Sequence, residues 1–448
     1  MKFYREPGYT TASDPKGINR MWPRYGKIAL LHHVGGGNLG DDATLDAVVQ
    51  NIRRRKPGAE IAAFTANPED TRRRHGLLCY PIRARSWSFG HTPLTPDPAF
   101  KSAIRTLFLK YKFLFYLPRI GYALAVRIPK AVFAEVSFLL ASRRNIESYE
   151  LLIISGGGQL TEWGGPLGFP YTLLKWVYLA KSAGIKCLFL NVGAGPLNHP
   201  LSKFFVKRAL GVADYISFRD EQSRKLVSQI GFKGSGEVFP DCVYSREVAA
   251  LNGSHGKLNQ LRLGIAPMPY CDPRTDPAEK NQAVYHDFIA RCATFAASLV
   301  RDSSCLLTLF GTDIGVDPLA IEDLHQRLLT DHRIATPEYR SPNSIDELLS
   351  QMSGVDYIVT CRFHGVIFAH LLNKPVLALS HHPKVMTIMN DLGLSKYCVD
   401  IRTFDPILLV DKFKSLVADT DEVKRRMAAS LAKYKSQSMR QFDELFAD

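Results

Sequence analysis

From Lys27 onward, short apolar runs alternate with apolar residues at helical spacing. "KIALLHHV" (Lys27 to Val34) reads as a strand running into glycines. In "DDATLDAVVQNIRRR", Leu45, Val48, Val49 and Ile52 mark a helix, with Asp41 or Asp42 available as its cap. "AEIAAFT" predicts the next strand, and "ELLIIS", "IKCLFLNVG" and "ADYISF" follow, each succeeded by a helical pattern. The rhythm lapses in the polar stretch Arg246 to Gln260. It then resumes with "LRLGIAP", a helix through Phe288 to Leu299, "SCLLTLFG", a helix near Leu319 to Leu329, and "VDYIVTCRFHGVIFAHLLNKPVLALS". Such alternation predicts parallel sheets covered by helices on both faces. The expected fold is α/β, with two Rossmann-like domains facing across a cleft.

At 448 residues the chain exceeds one ordinary core, which agrees with that division. The expected parts are an amino-terminal extension over 1–25, a first domain over 26–250 and a second over 251–405. A helical tail over 406–448 follows, with the option of packing back on the first domain. An insertion over about 87–145 interrupts the first domain.

Charge sharpens the picture. The formal net charge is +14, which favours anionic partners. Between Lys101 and Arg144 stand nine basic residues and the single acid Glu135, so this segment carries +8 of the total. It is also rich in Phe, Leu, Tyr and Ile, while Pro118 and Pro129 cut it into pieces too short to span a bilayer. Two readings stand side by side: a basic amphipathic region making peripheral membrane contact through 101–144, or helices packed on the first domain with their basic faces in water. No recognisable nucleic-acid motif accompanies the charge, so no nucleic-acid partner is expected. The amino terminus has no apolar signal-peptide core and the eight cysteines are scattered, so a cytoplasmic location is expected, with the cytoplasmic membrane face as an option.

Candidate chemistry lies at the strand ends, where open α/β sheets take ligands. "VGGGNLGDD" satisfies G-x-G-x-x-G with Gly35, Gly37 and Gly40, yet the second strand ends in "FTAN" without the carboxylate a dinucleotide ribose requires. "SGGGQL" supplies Gly156, Gly157 and Gly158, and "NVGAGPL" supplies Gly193 and Gly195. Arg219 follows a strand in "SFRDEQS", and Arg362 and His364 follow one in "CRFHGV". Arginines offer paired donors to a carboxylate or phosphate, and a histidine can carry a proton near neutrality. No HxxxH or carboxylate cluster calls for a metal, and the pairs His32–His33 and His381–His382 put adjacent side chains on opposite faces.

In this combination the chain resembles the polysaccharide pyruvyl transferases: "GGGNLGDD", "SGGGQL", "GAGPL", "SFRDEQS", "FPDCVY" and "CRFHGVIFAHLLNKPVLALSHHPKV" occur in the family's order across roughly two thirds of the chain. The insertion and the first 25 residues lie outside the likeness. The resemblance implies a GT-B-like fold and transfer from phosphoenolpyruvate, the donor substrate, to two hydroxyls of a saccharide acceptor. The products would be a cyclic pyruvyl ketal and phosphate, with no cofactor. The acceptor would belong to an exopolysaccharide or cell-surface glycan precursor, lipid-linked if the insertion reaches a membrane. It further implies donor-binding and catalytic roles for Arg219, Arg362 and His364, and a donor contact for Lys384. Gly156, Gly157 and Gly158 would floor the donor site. Asp41 or Asp42 is the candidate base for a sugar hydroxyl, with Asp41 put first, and Asn38, Asp41 and Asp42 are candidate acceptor contacts. A nucleotide-sugar glycosyltransferase on the same architecture is the alternative, although the helix "HGVIFAHLLNKP" carries no acid to hold a ribose. A basic docking module with vestigial glycine loops is a third. Oligomeric state is not written in any motif.

Overall fold

The computed structural model describes residues 26–84, 128–248, 260–275, 281–303, 305–335 and 339–446. The extension over 1–25, most of the basic insertion and most of the expected linker therefore lie outside the described residues. Seven parallel strands form the first sheet: β1 (Lys27–Leu31), β2 (Glu60–Thr65), β3 (Leu78–Pro81), β4 (Leu151–Ser155), β5 (Lys186–Val192), β6 (Tyr215–Phe218) and β7 (Glu237–Val238). Their spatial order is 3-2-1-4-5-6-7. The second sheet comprises β8 (Arg262–Ala266), β9 (Leu306–Leu309), β10 (Tyr357–Thr360), β11 (Val376–Ser380) and β12 (Cys398–Asp400), in the order 12-11-10-8-9. All pairings are parallel.

Both sheets reverse direction once, between β1 and β4 in the first and between β8 and β10 in the second. Crevices at the carboxyl ends of such strand pairs are where these folds hold ligands. The strands beside them are buried throughout, as in β4 "LLIIS" and β10 "YIVT", because helices cover both faces. The helix Phe363–Leu371 after β10 is buried on every side, which suits its apolar sequence.

The domains are joined through the first glycine run. The Leu39 N–H donates to the Thr312 carbonyl at 3.0 Å, and the Ile314 N–H donates to the Gly37 carbonyl at 2.9 Å. Asn38 and Asp313 form an antiparallel bridge between them. Gly37 sits at φ +86°, and a Cβ there would come within 2.8 Å of the Gly315 nitrogen. This G-x-G-x-x-G is thus a clasp between domains, and its close backbone approach is to protein. Leu39 and Ala43 of the following helix (Leu39–Arg55) accordingly join the second domain's core. The cap of that helix is Asn38, which accepts the Gly40 N–H at 3.0 Å, and not Asp41 or Asp42.

The chain ends in two helices. Pro406–Ala418 packs on the second domain, and Thr420–Phe446 crosses to the first, burying Phe442, Leu445 and Phe446 against β1 and β4. Near its end Gln441 donates to Asn191 Oδ1, Tyr215 Oη and Ser217 Oγ at 2.8–3.0 Å.

Candidate functional site

Charged side chains from both sheets meet where the two switch points face each other. Arg219 follows β6, and its guanidinium carbon lies 4.5 Å from the ring centroid of Phe363, at the start of the helix after β10. Nε of Arg219 is 3.2 Å from Asp220, and Nη1 is 3.9 Å from Asp241. Gly193 makes room for it, since a Cβ there would fall 2.4 Å from the guanidinium carbon. Lys384, in the first turn of the helix Pro383–Asp391, reaches the same ring at 5.8 Å. The Lys384 ammonium makes no ion pair among the described residues. Burial lowers its pKa, as do the nearby charges of Arg219 and Arg362, bringing it to about 8.

His364 lies on the helix Phe363–Leu371 against Gly40, where a Cβ would overlap the imidazole at 2.0 Å. It is 9% exposed, and its Nε2 faces Asp241 Oδ2 at 3.8 Å. Neither atom has a hydrogen-bond partner among the described residues. Asp241 follows β7 and accepts the Val243 N–H through its other oxygen. Burial alone would raise the Asp241 pKa, but His364 and Arg219 bring it below the ordinary carboxylate range. Arg219, Asp241 and His364 therefore line up across the cleft.

A second pair sits beside it. His33 Nε2 is 3.0 Å from Asp41 Oδ2, and Gly157, at φ +64°, lets the second glycine run lie against both. Burial, the largest influence, opposes ionisation of Asp41, but His33, His364 and His32 together outweigh it, and the carboxyl is held well below its ordinary range. Burial likewise lowers the pKa of His33, while Asp41 raises it further, for a net rise. The neighbouring His32 is held neutral by burial and by His33.

Arg362 is placed differently. Its Nε and Nη2 both reach Asp317 Oδ1, at 3.1 and 2.5 Å, and Nη1 lies 3.6 Å from Asp313. Asp317 is fully buried, and its second oxygen accepts the N–H groups of Thr312 and Asp313. Arg362 thus braces the loop that clasps Gly37, although its charge is felt by Lys384. Burial and the nearby carboxylates push Asp313 up to about 7, against the opposing pull of Arg362.

Two expected acceptor contacts are turned elsewhere. Asn38 is taken up by its cap and by the bridge to Asp313. Asp42 faces away from Asp41, accepting from His75 Nε2 at 3.2 Å with Arg74 at 3.9 Å. Asp41 remains, with Gly157 beside it and bonded through its carbonyl to the Gly193 N–H, while Gly156 lies against Thr44 and Gly158 against Thr161. His33, Asp241, Asp313 and Asp317 were not picked out from sequence. His33 was weighed only as a chelator, and Asp241 stands inside the quoted "FPDCVY" without a role. A cavity of about 690 Å³ lies elsewhere, lined by Gln50, Arg54, Arg246 and Lys435.

This cluster can hold a small polyanion between Lys384 and Arg219 and can exchange protons at His364 and His33. Among the described residues no group of three or more His, Cys, Asp or Glu is arranged to hold a metal ion. None of the eight cysteines is joined in a disulfide.

Comparisons with known proteins bear on the family and the fold. A family model described as polysaccharide pyruvyl transferase matches residues 38–383. No curated protein matches the sequence. By structure the chain is similar to a protein assigned as a UDP-N-acetylglucosamine 2-epimerase of Listeria monocytogenes, with TM-score 0.57, 11% identity, and 93% of this chain and 95% of that one covered. It is also similar to the UDP-GlcNAc 2-epimerase of Neisseria meningitidis bound to UDP-GlcNAc, with TM-score 0.55, 10% identity, and coverages of 94% and 100%. HepE of Anabaena in complex with UDP gives a TM-score of 0.52, 13% identity, and coverages of 94% and 98%. At these identities the likeness is one of fold, and the fold is GT-B-like: two parallel-sheet domains facing across a cleft.

Proposed function

The chain belongs to the polysaccharide pyruvyl transferase family, and from that premise we propose that it moves the enolpyruvyl group of phosphoenolpyruvate onto two hydroxyls of a saccharide. The observation that carries the donor assignment is Lys384, an ammonium with no ion pair among the described residues, beside Arg219 and with its pKa lowered to about 8. Two cations pressed towards one aromatic ring repel each other, and a bound anion removes that repulsion. Phosphoenolpyruvate, with a carboxylate and a phosphate on three carbons, suits such a place.

In this reading Arg219 and Lys384 hold the donor's charges, and Arg362 adds field while bracing its own loop. His364, steadied by Asp241, delivers a proton to the methylene carbon. The adjacent carbon becomes an oxocarbenium centre, to which the first sugar hydroxyl adds. Phosphate then departs, and the second hydroxyl closes the ring. One hydroxyl proton replaces the proton given to the methyl group, and the other leaves with phosphate. Asp41 is too firmly ionised to act alone as the base, so the His33–Asp41 pair receives the hydroxyl protons, with Asp41 orienting His33. General acid–base assistance of this kind contributes about 10²–10⁴ in rate. The acceptor is a glycan precursor, lipid-linked if the enzyme works at a cytoplasmic membrane face.

The test is incubation with phosphoenolpyruvate and candidate oligosaccharides, following phosphate release and the added mass of one pyruvyl group. Phosphate release that depends on acceptor supports the reading. Turnover of a nucleotide sugar with no use of phosphoenolpyruvate would assign the cleft to glycosyl transfer instead.

A further inference from the structure

Two apolar stripes run along the helix Ile128–Ile146, and among the described residues only one of them is packed against another element. Its inner face packs on the helix Phe169–Ser182: Phe138 meets Trp176 edge-on at 6.3 Å, and Glu135 pairs with Lys175 at 2.9 Å. Its outer face presents Val132, Phe133, Val136 and Leu140 to solvent, Phe133 being 74% exposed. These four fall within about 100° of arc, so they form one stripe. An apolar stripe left uncovered on a helix whose other side is packed marks an interaction surface.

We propose that this face docks the protein on an anionic lipid bilayer. Charge selects the occupant. Arg144 stands exposed at the end of the stripe, and Lys130 lies near its start. The helix Pro200–Leu210, which packs on the other side of Phe169–Ser182, exposes Phe204 beside the basic Lys207 and Arg208. A second copy meeting this face by two-fold symmetry would set these cations against themselves. Anionic headgroups complement them, and the apolar stripe can enter the acyl boundary between them. The sequence immediately before the helix, 101–127, has the same character, with six basic residues and no acid. Among the described residues no helix is long and apolar enough to cross a membrane, so the helix would lie along the surface.

The placement relates the membrane to the cleft. Glu135 is level with Tyr171 and Arg143 with Leu179, so the two helices run parallel, and the early turns of Ile128–Ile146 lie towards the carboxyl edge of the sheet. At that edge the loop after β4 exposes Trp163 and Leu167, and Trp163 packs against Phe169, whose ring meets His33. An indole at this position suits a headgroup boundary. The docked face would bring the cleft mouth to the lipid, where a lipid-anchored acceptor is presented.

The experiment is cosedimentation of the full chain with phosphatidylglycerol vesicles and with phosphatidylcholine vesicles, without donor or acceptor, so its outcome is independent of the reaction assigned above. Binding to the anionic vesicles is expected to be at least about tenfold tighter and to weaken with salt. The double variant Phe133→Ser/Leu140→Ser is expected to lose about tenfold or more, and Arg144→Glu/Lys207→Glu a similar factor with a flatter salt dependence. All four residues are at the surface, and unchanged melting of either variant shows that the fold is intact. Absence of binding to phosphatidylglycerol, or full binding by both variants, overturns the proposal. So does a wild-type dimer in light scattering that Phe133→Ser/Leu140→Ser dissolves while vesicle binding is absent, since that would make the occupant a second copy.

Discussion

Arg219 and Arg362 read alike in sequence, each following a strand at a switch-point edge, yet their surroundings differ in kind. Arg219 rests on an aromatic ring and touches its carboxylates at 3.2 and 3.9 Å. Arg362 is bound through two nitrogens to one oxygen of a fully buried aspartate. Stacking leaves hydrogen-bond donors free for a ligand, whereas a buried ion pair uses them in holding the fold together. The largest expected effect tests that difference. Arg362→Ala strands Asp317 without its partner and should lower unfolding stability by about 3–5 kcal/mol. Arg219→Met should lower it by only about 1–2 kcal/mol, from the lost ring contact. Denaturant titration of both variants measures this, and equal losses would erase the distinction.

The comparison turns round when the donor is added. Arg219→Met should weaken phosphoenolpyruvate about 10–150-fold, which corresponds to about 1.5–3 kcal/mol for a charged hydrogen-bond donor. Calorimetric titration reads it directly. An unchanged affinity would mean that the Phe363 ring, and not a ligand, is the reason for Arg219.

Gly193 offers a gentler way to reach the same arginine. A Cβ at this position would press on the far end of the Arg219 side chain, with no left-handed backbone to strain. Gly193→Ala should therefore weaken donor binding about tenfold, while stability stays within about 0.5 kcal/mol of wild type. A marked fall in melting temperature would show that the guanidinium cannot shift and that its role is partly structural.

What sequence reasoning reached, and what it missed, follows the same physical divide. The two sheets were legible because buried parallel strands leave long apolar runs at regular intervals. The helix Ile345–Ser353 was overlooked, although "SIDE" carries its own signal: Ser344 accepts the Glu347 N–H, and Glu347 turns back to the Asn343 N–H. Arg219, His364 and Lys384 stood out because they sit beside strand ends. Their partners were harder to see. Asp241 and Asp317 lie 123 and 45 residues from His364 and Arg362, at separations only the fold can bridge. The role of the first glycine run was left open for a related reason. A pattern of glycines announces a close backbone approach, but not whether a phosphate or another domain makes it, and here Gly315 does.

Lys384 supplies the smallest effect and the finest test, because it completes the contrast with the braced arginine. Its ammonium loses its proton near pH 8, burial acting first and the Arg219 and Arg362 charges adding to it, with Asp41 and Asp241 opposing. An anionic donor binds the protonated form, so it raises this pKa in the complex. Affinity should then be level below about pH 8 and decline above it, by about threefold between pH 7.5 and 8.5. The donor's phosphate, with its second ionisation near pH 6, is already fully charged across that window and contributes little to the slope. Lys384→Met should bind more weakly at pH 7 and lose the decline, and Arg219→Met should move the decline to higher pH by removing a neighbouring cation. A decline that persisted unchanged in Lys384→Met would assign the titration to another group and would leave the Lys384 ammonium without a part in holding the donor.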